Sequence, residues 1–176
     1  QTCALPILSV TIAQVTVGFF AIDRLGLAAA EGARMAGIAL TAVGVGLILA
    51  QALVMKLEVP PRRWIVLGAL IAGIGFASVA AVQQSWQLPA AYALAAFGMG
   101  FVFPSFQALA ADAVQAHEQG AAAGTVAAAQ GLGMVVGPML GTLLYRGGPS
   151  LPYLLVGVLL LLLCVLAAAH RMKEAT

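Results

Sequence analysis

Long stretches of this chain contain no Asp, Glu, Lys or Arg, and these stretches constrain its fold more than any other feature. The long charge-free segments are 1–22, 35–55, 64–111, 119–145 and 147–170. A helix needs about 20 predominantly apolar residues to cross the roughly 30 Å hydrocarbon core of a bilayer. Because the segment 64–111 is long enough for two crossings, the pattern predicts six transmembrane helices.

The segment 64–111 is interrupted at QQSWQLP, Gln83–Pro89, where glutamines, a tryptophan and a proline indicate an interfacial turn. The helices are therefore expected near 2–22, 34–55, 64–82, 88–111, 120–144 and 151–170. Short connections make consecutive helices antiparallel. A barrel would show alternating segments of about 10 residues, so the expected fold class is an all-α membrane protein.

Composition identifies the solvent of these helices. The chain has 176 residues, of which 62% are hydrophobic and 8% charged, whereas soluble domains are roughly 25% charged. Because so few charges cannot cover the surface of a water-soluble globule, we expect the chain to be embedded in a lipid bilayer. The net charge of +2, without a basic patch among aromatics, argues against nucleic acid. Cys3 and Cys164 lie far apart and indicate neither a disulfide framework nor a metal site, and no cofactor is expected.

The first seven residues resemble a foreign sequence. QTCALPI can be encoded by CAG ACG TGT GCT CTT CCG ATC, which is similar to a common DNA-sequencing adapter read in frame. We therefore expect residues 1–7 to be an artefact and residues 8–176 to form the six-helix bundle. On this expectation the chain is a fragment of a longer protein.

Lys and Arg predict the orientation, since they are enriched in cytoplasmic loops. One side of the bundle carries Lys56, Arg62, Arg63, Arg171 and Lys173, and the other carries Arg24, Arg34 and Arg146. The larger group favours the first side as cytoplasmic. Both ends of this segment are then expected in the cytoplasm, and the protein in the cell (inner) membrane.

A faint internal repeat is visible at an offset of 87 residues. It pairs Glu31 with Glu118, Gly37 with Gly124, Gly44 with Gly131, Gly46 with Gly133, and Phe19 with Phe106. Helix 2 then corresponds to helix 5, and an odd number of spans per repeat implies the inverted-repeat plan of many transporters. Chance matches in so Ala- and Gly-rich a chain are the alternative.

Helix 5 contains residues that helices in water avoid. Its stretch Gly124–Gly141 holds five glycines and a proline, at a cost in water of about 1 kcal/mol per glycine and about 3 for the proline. In lipid, small residues allow helix backbones to approach each other. Two stripes on roughly opposite faces follow, namely Gly133, Gly137 and Gly141 on one face and Gly120, Gly124 and Gly131 on the other. They predict a helix wedged between two neighbours.

Pro138 is expected to bend this helix. Its ring removes one backbone donor and crowds the carbonyl of Met134, and neighbouring groups in a membrane protein can re-satisfy the freed carbonyl. A bend suits a helix that moves during transport. The alternative is that glycine and proline are simply commoner in membrane helices.

The spacing Gly124-x8-Gly133-x3-Gly137-Pro138-x2-Gly141 resembles the antiporter signature of the major facilitator superfamily, with Thr142 where that family often has a glycine. The resemblance implies the C-terminal half of such a transporter, helices 7–12, similar to drug:proton antiporters. The stretch MKLEVPPRRW, 55–64, resembles a degenerate form of that family's loop between helices 2 and 3. LAAFGMG, 94–100, resembles the fourth-helix motif with Leu94 in place of its Arg, and the tail AHRMKEAT suits a natural C-terminus.

The resemblance implies that helices 1, 2, 4 and 5 of this half line a path shared with a missing N-terminal six-helix half. Gln14 and Gln130 lie within helices 1 and 5, where each amide contacts substrate or, alternatively, joins helices. Phe101, Phe103 and Phe106 flank Pro104 and suit an apolar wall, with Phe101 the first choice as a substrate contact; ordinary packing is the alternative.

No Asp, Glu, Lys, Arg or His lies near the centre of any predicted span. A proton-driven transporter needs a titratable group on its path, so the resemblance implies that the missing half supplies it. Arg62 or Arg63 is expected to pair with Asp112 or Glu118 as a gating contact. The alternative is that these arginines are solvated anchors at the cytoplasmic face.

The sequence therefore predicts half of a secondary transporter, with proton-coupled efflux of drugs or small metabolites by alternating access. Two alternatives stay open, namely a sugar or organic-acid transporter of the same fold and a multi-pass membrane protein that transports nothing. No nucleophile–base pair, metal cluster or phosphate loop is present in the sequence, so an enzyme is not expected.

Overall fold

The computed structural model describes residues 4–173, apart from the side chains of Ala4, Ala116 and residues 170–173. Its six long helices are α1 (Ala4–Asp23), α2 (Ala29–Lys56), α3 (Pro61–Val79), α4 (Gln87–Asp112), α5 (Gln119–Gly147) and α6 (Leu151–Lys173), with one 3₁₀ turn at Ala116–Glu118. All six are long and apolar enough to cross a membrane, and the described residues contain no strand. The predicted six-helix all-α fold is confirmed.

The boundaries of α2 and α3 differ from the prediction. α2 begins at Ala29 and includes Glu31 in its first turn, where the partial positive charge of a helix N-terminus favours a carboxylate. The charge-free window started this helix too late for that reason. α3 ends at Val79, earlier than expected, and the chain continues as turns in which the Ala80 N–H donates to the Ala77 carbonyl at 3.1 Å.

The break between α3 and α4 is a turn held by glutamines. The Gln87 side-chain oxygen accepts hydrogen bonds from the backbone N–H groups of Gln83 at 2.9 Å and Gln84 at 3.1 Å. The Trp86 indole N–H donates to the Gln84 side-chain oxygen at 2.6 Å, and its ring is 67% exposed. These bonds replace the helical ladder and confirm the predicted interruption of the segment 64–111.

Helices α3 and α4 form the tightest contact of the bundle because their backbones touch. A Cβ atom on Gly75 would lie 2.5 Å from the Ala95 nitrogen, and one on Gly98 would collide with the backbone of Ala72. α6 approaches the other side of α3, where a Cβ on Gly157 would lie 3.1 Å from the Gly73 carbonyl oxygen. Dispersion contacts and close backbone approach thus replace the hydrophobic drive that lipid cannot supply.

The helices pair in a pattern with internal symmetry. α1 lies beside α5 and α2 beside α4, each pair parallel, while α3 packs antiparallel against α6. Exchanging α1 with α4, α2 with α5 and α3 with α6 reproduces this pairing, as two three-helix units of opposite orientation require.

The glycines of the offset-87 repeat behave as equivalent positions. Gly46 is buried against α4 and Gly133 against α1. The two remaining pairs, Gly37 with Gly124 and Gly44 with Gly131, have no heavy atom within 4 Å of an added Cβ. The weak sequence repeat therefore coincides with a structural one, since packed positions match packed positions and open positions match open ones.

Candidate functional site

One glycine stripe of α5 forms its contact with α1. Gly133, Gly137 and Gly141 are buried, and a Cβ on Gly137 would collide with the Thr11 side chain, while one on Gly141 would lie 3.3 Å from the Ile12 Cα. The Thr11 hydroxyl also lies 3.2 Å from the Gly133 carbonyl oxygen. Because this stripe carries no side chains, α1 reaches the α5 backbone.

The second stripe of α5 has no close neighbour among the described residues of this chain. No heavy atom lies within 4 Å of a Cβ on Gly120, Gly124 or Gly131. The expectation that each stripe meets a neighbour therefore fails for the second stripe among the described helices of this chain, and the main packing partner of α5 is α1. Large side chains beyond the stripes are exposed as well, with Leu132 at 67% and Met139 at 69%.

Prolines stand inside two helices, and the structure gives them different surroundings. Pro138 lies inside α5 and leaves the Met134 carbonyl without its usual helical donor. Pro104 does the same in α4 to the Gly100 carbonyl. There, the Gln51 side-chain amide of α2 lies 3.4 Å from the Gly100 oxygen and donates to it. Gln51 was missed by sequence reasoning, whose one available signal was a glutamine in a charge-free span.

Gln14 lies at the edge of a small apolar cavity. Its side chain is exposed on α1 and lines a space of about 80 Å³ between α1, α2, α3 and α4. Leu47, Phe76 and Phe103 are among the other lining residues. This space is too small for a drug-sized ligand, since ligand pockets measure roughly 300–1,000 Å³.

Phe101, the expected substrate contact, points elsewhere. It is 2% exposed, stacks on Trp64 with ring centroids 4.6 Å apart and meets the edge of Phe97 at 4.8 Å. The expectation that Phe101 lines a path therefore has no support in the geometry. Phe103 is the aromatic of this segment that reaches the cavity, and Phe106 packs against the main core.

Two buried tyrosines, also missed by sequence reasoning, join three helices. The Tyr92 hydroxyl of α4 donates to the Ala13 carbonyl of α1 at 2.6 Å. Its single proton is then used, so the Tyr153 hydroxyl of α6, 3.0 Å away, donates to it. Both side chains are at most 2% exposed. In lipid such bonds act as glue between helices, and they fix α1 beside the Gln14 cavity.

A larger cleft lies between the last turns of α4 and the first turns of α5. It has a volume of about 590 Å³ and is lined by Gln107, Gln119 and Gln130 among six alanines and one valine. We call it the amide cleft. The small alanine side chains leave the space open, and the three glutamines are its polar groups. The sequence pointed to Gln130 and not to Gln107 or Gln119, because these two lie toward the ends of their helices.

The two predicted glutamine sites do not come together. Gln14 belongs to the small cavity between α1, α2, α3 and α4, and Gln130 belongs to the amide cleft between α4 and α5. Helix α4 contributes Phe103 to the former and Gln107 to the latter, so it is the wall that the two spaces share.

Charged residues lie at the helix ends. Arg62 and Arg63 are exposed in the first turn of α3, and Asp112 is exposed at the last residue of α4. α3 and α4 are antiparallel neighbours, so these residues share one face of the bundle. At the opposite face the Tyr145 hydroxyl of α5 donates to the Asp23 carboxylate of α1 at 2.9 Å, which joins the ends of the parallel pair.

A comparison with known protein families identifies the family of this sequence. The family model described as Major Facilitator Superfamily matches residues 2–176. The match therefore spans all six helices and the connections between them.

Proposed function

Because this chain belongs to the major facilitator superfamily, whose members are membrane transporters, we propose that it supplies six helices of a secondary transporter. A second six-helix half, preceding this one, completes the protein. On this proposal residues 1–7 are foreign to the gene. The two halves enclose a path for a small molecule and expose it to one side of the membrane at a time.

The observation that carries this proposal is the pair of open faces on α2 and α5. These helices are equivalent in the internal symmetry, and both present glycines with no close neighbour among the described residues, namely Gly37, Gly44, Gly124 and Gly131. Small residues on a membrane helix favour backbone contact with another helix. Two equivalent unpacked faces suit a second half that approaches α2 and α5 together.

The proposed transport is proton-coupled efflux of small metabolites or drugs from the cytoplasm, where both ends of this segment lie. No Asp, Glu, Lys, Arg or His lines either cavity among the described residues. The proton carrier therefore belongs to the other half. The absence of charge in the described linings also weighs against an organic acid as the molecule bound by this half. Gln14 at the small cavity and Gln130 in the amide cleft are the proposed polar contacts of this half.

The test is proton movement in proteoliposomes that contain this chain together with the half proposed to precede it. An internal pH dye reports proton flux when members of a panel of neutral, cationic and anionic solutes are added. We expect at least one solute to move protons, and a protonophore to abolish the response. Liposomes with this chain alone are the control and should show no proton flux. Activity of this chain alone would contradict the two-half proposal, and solute flux insensitive to the protonophore would contradict proton coupling.

We further propose that Arg62 or Arg63 pairs with Asp112 when the cytoplasmic side closes. Support comes from their position on one face at the ends of adjacent helices α3 and α4. In the same assay, Arg62→Asp and Asp112→Arg should each reduce transport, and their combination should restore it. Solvated anchors give no such rescue.

A further inference from the structure

We propose that the amide cleft is a binding site for a neutral, hydroxyl- or amide-bearing solute, which Gln107, Gln119 and Gln130 hold by hydrogen bonds. The proposal rests on the transport function above and names the substrate class of this half. The cleft has about 590 Å³, within the range of roughly 300–1,000 Å³ of sites for small molecules.

The first argument is that these amides lack partners. Among the described residues, none donates to or accepts from the side chains of Gln107, Gln119 or Gln130. Other glutamines of the chain are used by the protein, since Gln51 donates to Gly100 and Gln87 accepts two backbone bonds. Side-chain atoms that are fully buried are all satisfied in the described part of the chain. The amides of the cleft are thus both accessible and unused.

The second argument is the make-up of the lining between these amides. Gln107 and Gln119 are exposed and Gln130 is partly exposed, so a solute can reach all three. The lining around the three amides consists of alanine and valine, which neither compete for hydrogen bonds nor fill the space. A ligand held by Gln107 of α4 and by Gln130 of α5 therefore bridges the two helices.

The chemistry of the lining selects the ligand. A primary amide donates and accepts at once, which suits hydroxyl and amide groups, since these also do both. A lipophilic cation is recognised by carboxylates or aromatic faces, and the residues that line the cleft include neither. A carboxylate ligand would need Lys or Arg, which the lining also lacks. The lining of the amide cleft therefore fits a neutral polar solute best.

The test measures binding to the purified chain in detergent by saturation-transfer NMR. The probes are three matched panels, namely neutral sugars, polyols and amides; lipophilic cations such as tetraphenylphosphonium; and carboxylates such as benzoate. We expect binding within the neutral panel, weakened about tenfold by Gln107→Leu combined with Gln130→Leu. Gln83→Leu, an equivalent change in the α3–α4 turn, is the matched control and should leave binding unchanged. Thermal unfolding of each variant checks that it is folded.

Each outcome decides the inference. Binding confined to the cationic or anionic panel overturns it, as does neutral binding that persists in the double variant or the absence of any neutral ligand. Binding of a neutral solute by the chain, without proton flux from the two halves together, would retain the site and reject the transport function. Proton flux driven by cations alone would retain transport and reject the site.

Discussion

Helices α4 and α5 resemble each other in sequence and differ in environment. Both are rich in alanine and glycine, and each contains an interior proline. α4 is buried along much of its length, between α2 and α3. In α5 the buried residues are Gly133, Gly137 and Gly141, which face α1. Small residues therefore indicate where a backbone can be approached, and the structure shows which of these places a neighbour of the same chain occupies.

Their prolines differ in the same way. In α4, the carbonyl freed by Pro104 receives the Gln51 amide from α2. In α5, the carbonyl freed by Pro138 belongs to Met134, a residue that is 55% exposed. The carbonyl freed by Pro104 thus has a donor from α2. No described residue plays this part for the Met134 carbonyl, so its donor is water or a group of the proposed second half.

The largest expected effect follows from filling the α3–α4 contact. Gly98→Val places side-chain atoms against the backbone of Ala72, which cannot move without separating the two helices. We expect destabilisation at or above the upper end of the 1–3 kcal/mol typical of overpacking. The measurement is thermal unfolding in detergent, with size-exclusion chromatography as the check for aggregated protein. A stable variant with the melting temperature of the parent would contradict the close backbone contact.

The next effect separates the two faces of α5. Gly137→Val meets Thr11 and should destabilise the isolated chain by about 1–3 kcal/mol. Gly124→Val meets open space and should leave the isolated chain as stable as the parent or slightly more so, since glycine lowers helix propensity. Thermal unfolding of the two variants in the same detergent measures the difference.

Co-purification with the proposed first half sharpens this comparison. There Gly124→Val is expected to reduce recovery of the two-half complex, because it fills a face that we assign to that half. Equal recovery with Gly124→Val and the parent would show that this face meets lipid instead.

The smallest expected effect concerns the support of the α4 bend. Gln51→Leu removes one long hydrogen bond and should cost about 0.5–1 kcal/mol. In a Pro104→Ala background the helix regains its own donor to Gly100, so the same change should cost nothing. A double-mutant cycle of unfolding free energies measures this coupling. Additive costs would mean that Gln51 does not compensate for the proline.

Much of the fold was predictable because crossing a bilayer is a local requirement. The number of helices and the break near Gln83 follow from charge-free lengths and turn residues, which depend on neighbours in sequence only. The ends of α2 and α3 were less well predicted, because terminal turns tolerate charge and glutamine. The stripe of Gly133, Gly137 and Gly141 followed from spacing, although spacing did not say that α1 is its partner.

The site was less predictable for a geometric reason. Successive residues of a helix are rotated by about 100°, so Phe101 and Phe103 point about 200° apart. In a helix that is apolar all round, composition does not distinguish the face toward α3 from the face toward a cavity. The sequence therefore pointed to Phe101 as the substrate contact, whereas Phe103 is the phenylalanine of this segment that lines the cavity. Gln107 and Gln119 were missed because a polar residue toward the end of a membrane helix looks like an interfacial one.

The sequence by itself determined that this chain is a six-helix membrane protein, and its glycine and proline spacing was sufficient to suggest the family. Only the tertiary structure decided which glycines are in contact, which proline is supported and which glutamines share a cleft. The physical reason is that hydropathy and length act along the chain. Packing in lipid, by contrast, depends on how each helix is rotated against its neighbours, and an apolar sequence encodes this rotation weakly.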